Sequence, residues 1–159
     1  RSLCDWSSDV CSSDLIAGSY PSGPSSFDPP MIRQFIANEK IDAYNLPSGV
    51  IFQMHRAGST FQPGVFSKVG LETFIDPRLQ GGALNNKTSK NLISYRELEG
   101  EEYLFYPAIK PNVAIIRATT ADEFGNLTYE QEGSPLGALD QAYAAHNNNG
   151  IVKIGRAHV

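Results

Sequence analysis

Cysteine occurs only twice in the 159 residues, at Cys4 and Cys11, and tryptophan once, at Trp6. Residues 12–159 therefore hold no thiol for a disulfide, a thiolate nucleophile or a Cys-based zinc site. No apolar run approaches the roughly eighteen residues that a membrane-spanning helix needs. Nothing reads as a secretory signal, so Asn86-Lys87-Thr88 and Asn126-Leu127-Thr128 match the glycosylation pattern by chance. Basic residues are not in surplus: 13 Lys and Arg face 17 Asp and Glu, a formal charge of −4. That balance argues against general nucleic-acid binding, which normally shows a basic patch. H-x-x-x-H and G-x-S-x-G are both absent, so neither a helical zinc motif nor a nucleophile elbow is present. No resident metal or permanently bound cofactor is expected.

The two ends of the chain read as translated linker. The last six residues, Ile154-Gly155-Arg156-Ala157-His158-Val159, can be coded ATC GGA AGA GCA CAC GTC. The reverse complement, GAC GTG TGC TCT TCC GAT, encodes Asp-Val-Cys-Ser-Ser-Asp, which is Asp9 to Asp14 of this chain. An oligonucleotide ligated to both ends of a DNA fragment produces antisense ends, and the string resembles translated sequencing adapter. The expected division is residues 1–15 and 154–159 as adapter from a metagenomic-type clone, and residues 16–153 as protein. Removing Arg1, Arg156, Asp5, Asp9 and Asp14 leaves 11 basic and 14 acidic residues, formally −3. Both cysteines go with the linker. The remainder has the size of one domain, and a cysteine-free chain of this kind suits the cytoplasm.

Ser19 to Ser26 is a Pro/Ser/Gly loop, and Asp28-Pro29 caps a short amphipathic helix to Asn38 carrying Met31, Ile32, Phe35 and Ile36. A strand at Ile41 to Asn45 leads into Pro47-Ser48-Gly49 and a second helix with Val50, Ile51 and Met54. Val65 to Val69 is another strand. Gly70 to Gly82, GLETFIDPRLQGG, has no period and is long for a plain connector. Ile93 to Leu98 and Glu102 to Tyr106 flank Glu99-Gly100 as a hairpin. Val113 to Ile116 is an unbroken apolar run, which fits a strand buried on both faces of a parallel sheet. Asp122 to Asn126 is a polar turn, and Leu127 to Glu130 a return strand. Ser134-Pro135 starts a third helix that presents Leu136, Leu139, Ala142 and Tyr143 to the core. Gly150 stops it, and Ile151 opens the next strand. Strands alternating with helices give an α/β sheet.

Ligands in open α/β sheets lie beyond the carboxyl ends of strands, which directs attention to Arg117 to Asp122 and to Pro47-Ser48-Gly49. Ser48 is explained by helix capping alone, yet the free amides of a helix start also hold an anion or an oxyanion. Gly81-Gly82 and Arg78 offer amides and a cation for a phosphate or thioester. His55 reads as a boundary residue, and His146 as a cation at a helix C-terminus. Asp122-Glu123 reads as a turn before an acid pair.

AYNLPSGVIFQMHRA (Ala43 to Ala57), QPGVFSKVGLETFIDPRLQGG (Gln62 to Gly82), GEEYLFYPAIKPNVAIIRATTADEFGNLTYE (Gly100 to Glu130) and LDQAYAAHNNNGIV (Leu139 to Val152) together resemble the class I coenzyme A transferases. The nearest group is the single-chain acetate/propionate (short-chain acyl) CoA-transferases. The resemblance implies an α/β fold, an open Rossmann-like sheet of the CoA-transferase/sugar-isomerase type, here truncated to a partial N-terminal domain. It implies transfer of CoA between a short-chain acyl-CoA and a carboxylate through a glutamyl-CoA thioester. CoA is then a substrate rather than a bound cofactor, and the full enzyme is a homo-oligomer without nucleic acid or membrane. The nucleophilic glutamate belongs to the half missing here, so no catalytic residue is expected in this chain and the fragment alone is inactive. The substrate-binding residues implied are Ser48 and Gly49, at a turn that reads Pro-Gln-Gly in the family, where the Gln side chain supports the oxyanion. The competing readings are a citrate lyase alpha-type acyl/CoA transferase subunit and a non-catalytic ligand-binding domain of the same fold.

Overall fold

The structure, a computed structural model, describes residues 15–20, 31–135 and 137–156. The Asp28-Pro29 helix start, most of the Pro/Ser/Gly loop, Leu136 and most of the residues read as linker lie outside them. The chain divides into two compact units, Arg1–Ile51 with Phe66–Tyr106, and Phe52–Val65 with Pro107–Val159.

In the first unit, β1 (Leu15–Ala17) precedes α1 (Met31–Ala37) and pairs in parallel with β2 (Ala43–Asn45). Of the expected apolar face of α1, only Ile36 is buried, while Met31 and Phe35 remain exposed. The second helix, α2 (Ser48–Ser59), whose residues from Phe52 onward belong to the second unit, starts where the sequence placed it and carries buried Val50, Met54 and Ala57 at helical spacing. After β3 (Gly64–Ser67) comes the long loop. The hairpin follows as β4 (Ser94–Leu98) and β5 (Glu101–Pro107), antiparallel, with Leu98 opposite Glu101. Its two-residue turn has Glu99 and Gly100 both at positive φ, 54° and 79°, the mirror-type turn that matches strand twist.

One face of the hairpin is buried through Leu104 and Tyr106, and the Tyr106 hydroxyl donates to the Val69 carbonyl at 2.6 Å. Burial pushes the Tyr106 phenol up to about 12. Tyr106→Phe is expected to cost about 1 kcal/mol, the net worth of one buried hydrogen bond, as a lower urea midpoint with an unchanged slope.

The second unit contains β6 (Val113–Ala118), β7 (Thr120–Ala121), β8 (Leu127–Thr128), α3 (Ala138–Asn147) and β9 (Ile151–Arg156). β6 and β9 are parallel, with Val113 opposite Ile151, and β7 and β8 form a small hairpin across the Asp122 turn. The apolar run of β6 is not buried on both faces. Ala114, Ile116 and Ala118 are buried, whereas Val113 is 48 % and Ile115 76 % exposed. The reason is that α3 covers one face only, through a cluster of Ala114, Ile116, Ala138 and Ala145 with Leu127, Tyr129, Ala142 and Val152.

The third helix also differs from its sequence reading. It begins at Ala138, after Gly137 in the left-handed region (φ 69°), and not at Ser134-Pro135. Its buried side is a row of alanines, while Leu139 and Tyr143 face solvent, Leu139 at 67 %. Small side chains let the helix axis approach the strands closely, so the larger apolar residues turn outward. At its far end the Asn147 amide donates to the Ser59 carbonyl (2.6 Å) and the Asn148 amide to those of Gly58 and Ala144. The bonds to Ser59 and Gly58 satisfy carbonyls that the last turn of α2 leaves open.

Candidate functional site: the helix start beyond two parallel strands

The carboxyl ends of β1 and β2 lie side by side, tied by the Leu46 amide donating to the Ala17 carbonyl at 3.0 Å. Beyond β2 the chain turns through buried Leu46 into Pro47, whose carbonyl accepts from the Val50 (2.9 Å) and Ile51 (3.1 Å) amides. Pro47 is therefore the capping residue, and Ser48 and Gly49 are the first two helical positions. This corrects the N-cap account of Ser48. The Ser48 hydroxyl lies instead against Gly18, where any Cβ would collide with it. Ser48 and Gly49 are exposed, and their amides make no hydrogen bond to another described residue. Two unsatisfied N–H groups at the positive end of a helix dipole can stabilise an oxygen that gains negative charge.

A cavity of about 400 Å³ opens at this end of the unit, lined by Tyr20, Arg33, Ile36, Ala37, Asn45 and Leu84. The Tyr20 hydroxyl, 2.9 Å from the Leu15 carbonyl and 2.8 Å from that of Tyr44, spans the two strands, and burial raises its pKa. Sequence reasoning assigned nothing to Gly18, Tyr20 or Asn45. The sequence predicts no strand before Gly18 and Tyr20, and for Asn45 the signal was its place at the end of the Ile41 to Asn45 strand.

The other candidates resolve into structure. Gly81 donates its amide to the Asp76 carbonyl and Gly82 to that of Phe74, at 3.0 and 2.9 Å, so neither is free for a ligand. The Arg78 guanidinium is held by Asp76 and Glu102 and lies 4.4 Å over the Tyr95 ring. The Asp122 carboxylate accepts from the Phe124 and Asn126 amides and the Asn126 side chain, which lower its pKa and make it the organiser of its turn. Arg117 pairs with Glu132, and Thr120 donates to Glu130. The His55 imidazole is partly buried with Nδ1 unpartnered, and desolvation lowers its pKa against the opposing pull of Asp140. No cluster of His, Cys, Asp or Glu suited to a metal occurs among the described residues. No helix among them is long and apolar enough to cross a membrane.

A helix start with free amides fits many acyl-transfer sites, and the decision comes from comparison. The family model for coenzyme A transferase matches residues 11–154. The chain belongs to the coenzyme A transferase family. Over 123 residues it is 50 % identical to the acetate CoA-transferase YdiF of Escherichia coli K12, covering 77 % of this chain and 23 % of that one. Over 121 residues it is 46 % identical to the caffeate CoA-transferase of Acetobacterium woodii, covering 76 % of this chain and again 23 % of the relative. The solved apoenzyme of YdiF from E. coli O157:H7 superposes with a TM-score of 0.73 at 46 % identity, over 82 % of this chain and 26 % of that one. The same enzyme has been solved as a thioester complex with CoA. The CoA-transferase chain described here thus spans about a quarter of the length of the curated relatives it matches, and its α/β fold is theirs.

Proposed function

We propose that residues 16–153 are a partial N-terminal domain of an enzyme that moves CoA between a short-chain acyl-CoA and a carboxylate. The observation that carries this reading is the 50 % identity to an acetate CoA-transferase over 123 residues. In the proposed reaction a glutamate of the remaining sequence attacks the thioester carbonyl, and the CoA thiolate leaves to give an acyl-glutamyl anhydride. The thiolate then attacks the glutamyl carbonyl, the first carboxylate departs, and the glutamyl-CoA thioester is resolved by the incoming carboxylate in the reverse sequence. Each attack puts negative charge on a carbonyl oxygen. The contribution of this chain is the Ser48 and Gly49 amides, exposed and without a hydrogen bond to any other described residue, at the start of α2. Ser48 is shorter than the glutamine usual at this turn, so the backbone amides carry more of the stabilisation here.

No resident cofactor takes part, and CoA enters as substrate. The partners of the reading are acyl-CoA, a carboxylate, the missing half of the same polypeptide and further copies of it, in the cytoplasm. None of Glu72, Glu123 or Glu130, all exposed, is assigned as nucleophile, a role that the family resemblance places in the missing half.

The 159-residue chain alone is expected to exchange no CoA between acetyl-CoA and labelled propionate. Amplifying the source DNA outward from the codons for Gly100 to Val152 gives the complementary test. A frame running on into a second half with a glutamate in a glycine-flanked turn, active when expressed whole, supports the reading. A natural stop codon after IGRAHV overturns it and moves a binding-domain role forward, whereas exchange by the isolated chain overturns the expected inactivity of the fragment.

A further inference from the structure

We infer that Asp76 and Arg78 are positioning residues for the Ser48–Gly49 turn, acting by holding the Gly70–Gly82 loop in a single register along β2. The inference rests on the CoA-transfer reading for the purpose of the turn, but its geometry stands independently. Asp76 is 1 % exposed, an unusual place for a carboxylate. Its Oδ1 accepts from the Arg78 amide and Nε, both at 3.0 Å, and its Oδ2 from the Glu72 amide at 3.1 Å and Arg78 Nη2 at 2.7 Å. Its carbonyl accepts from the Leu79, Gln80 and Gly81 amides. One residue thus gathers the backbone on both sides of Pro77.

Arg78 is the link to the hairpin. Its Nη1 is 3.4 Å from Glu102 Oε1, and the Tyr95 hydroxyl donates to the same oxygen at 3.0 Å. The tail of the loop is the link to β2. The Asn45 amide donates to the Gly82 carbonyl (2.8 Å), the Leu84 amide to the Ala43 carbonyl (2.9 Å), and Ala83 bridges Tyr44 in antiparallel fashion. Gly82 is packed so closely that an added Cβ would stand 2.9 Å from Leu46 Cδ2 and 3.1 Å from the Asn45 carbonyl oxygen. Asn45 and Leu46 are the two residues that deliver Pro47-Ser48-Gly49. A continuous path therefore runs from the hairpin through Arg78, Asp76 and Gly82 to the base of the proposed oxyanion turn, all inside the first unit. A bidentate guanidinium–carboxylate pair supplies direction as well as energy, which a lysine cannot reproduce.

The test is backbone amide hydrogen exchange by NMR on the 159-residue chain, without CoA, so that failure of the transfer reading leaves the outcome untouched. In Arg78→Gln, the Asn45, Gly81, Gly82 and Leu84 amides are expected to exchange about tenfold faster, and the Ser48 and Gly49 resonances to shift. The Leu104 and Tyr106 amides are expected to keep their protection. Arg78→Lys is expected to fall between wild type and Arg78→Gln. Arg117→Gln, which removes another arginine–glutamate pair, is the control and is expected to change none of these amides. Unchanged exchange at Asn45 and Gly82 would overturn the inference. So would an equal rise at Leu104 and Tyr106, since that would mark general loosening. Should Arg78→Gln fail to fold, Arg78→Lys, which keeps the charge but not the bidentate pairing with Asp76, serves the same comparison with the same two overturning results.

Discussion

Gly58→Ala is expected to destabilise the chain by about 2 kcal/mol, against the usual direction for a glycine inside a helix. Helix propensity alone would favour alanine by about 1 kcal/mol. At position 58, however, the added Cβ would overlap the Ile109 carbonyl oxygen and come within 3.0 Å of its carbon. That obstacle is backbone and cannot rotate aside. It is also pinned, because the Ile109 amide donates to the Met54 carbonyl (3.1 Å) and the Ala108 amide to that of Pro63 (3.0 Å). Overpacking of a fixed site costs about 1–3 kcal/mol or more, which outweighs the propensity gain. Near the midpoint the loss corresponds to a Tm lower by about 4–8 °C. Gly49→Ala is the matched comparison, since a Cβ there meets nothing within 4 Å. Its Tm should hold or rise. A Gly58→Ala chain melting within a degree of wild type would show that the Ile109 crossing yields.

The second large effect is expected at Asp76. Asp76→Asn keeps the volume but turns an amide N–H toward groups that all donate, the Glu72 and Arg78 amides and the Arg78 guanidinium. Each stranded donor costs about 1–3 kcal/mol, and Arg78, 42 % exposed, recovers part of its share from water. The substitution also carries a pH signature. Hydrogen bonds from Arg78, and then those from the Arg78 and Glu72 amides, hold the Asp76 carboxyl down at about 2, against the opposing pull of burial. In the unfolded chain its value returns to about 3.9. A carboxyl depressed in the folded state stabilises fully above its unfolded value and loses that contribution as the pH falls through the folded one. The gap in urea midpoint between wild type and Asp76→Asn should be constant from neutral pH to about 5, then narrow between about 4 and 2. A gap that stays constant to pH 2 would mean that the carboxylate is not what holds the loop.

The α/β order, the second helix, the Glu99-Gly100 hairpin and the Gly150 stop were legible because each rests on local chemistry. Burial was less so. Val113 to Ile116 reads as a strand for two apolar faces, yet only one face is covered among the described residues. A sequence cannot say which layer of a sheet lies within its own span. In α3 the large residues Leu139 and Tyr143 were assigned inward, while the strands accepted the smaller Ala138, Ala142 and Ala145. Hydrophobicity ranks residues by size, and close helix–strand packing selects the reverse. The site was half legible. The turn at Ser48-Gly49 was found, but whether Gly81 and Gly82 still had amides to offer depended on Phe74 and Asp76 carbonyls that no motif announces.

Surface loops are commonly where related chains gain and lose residues, and the stretch from Gly70 to Gly82 has the composition of such a place. Its anchoring makes it a poor one. With Glu72, Arg78, Leu79, Gln80 and Gly81 all counted off from Asp76, dropping or adding a residue would put every later amide one position out of step before it reached Asn45. Its length is constrained as tightly as that of a helix. The Glu99-Gly100 turn, with open space around Gly100, is free to vary.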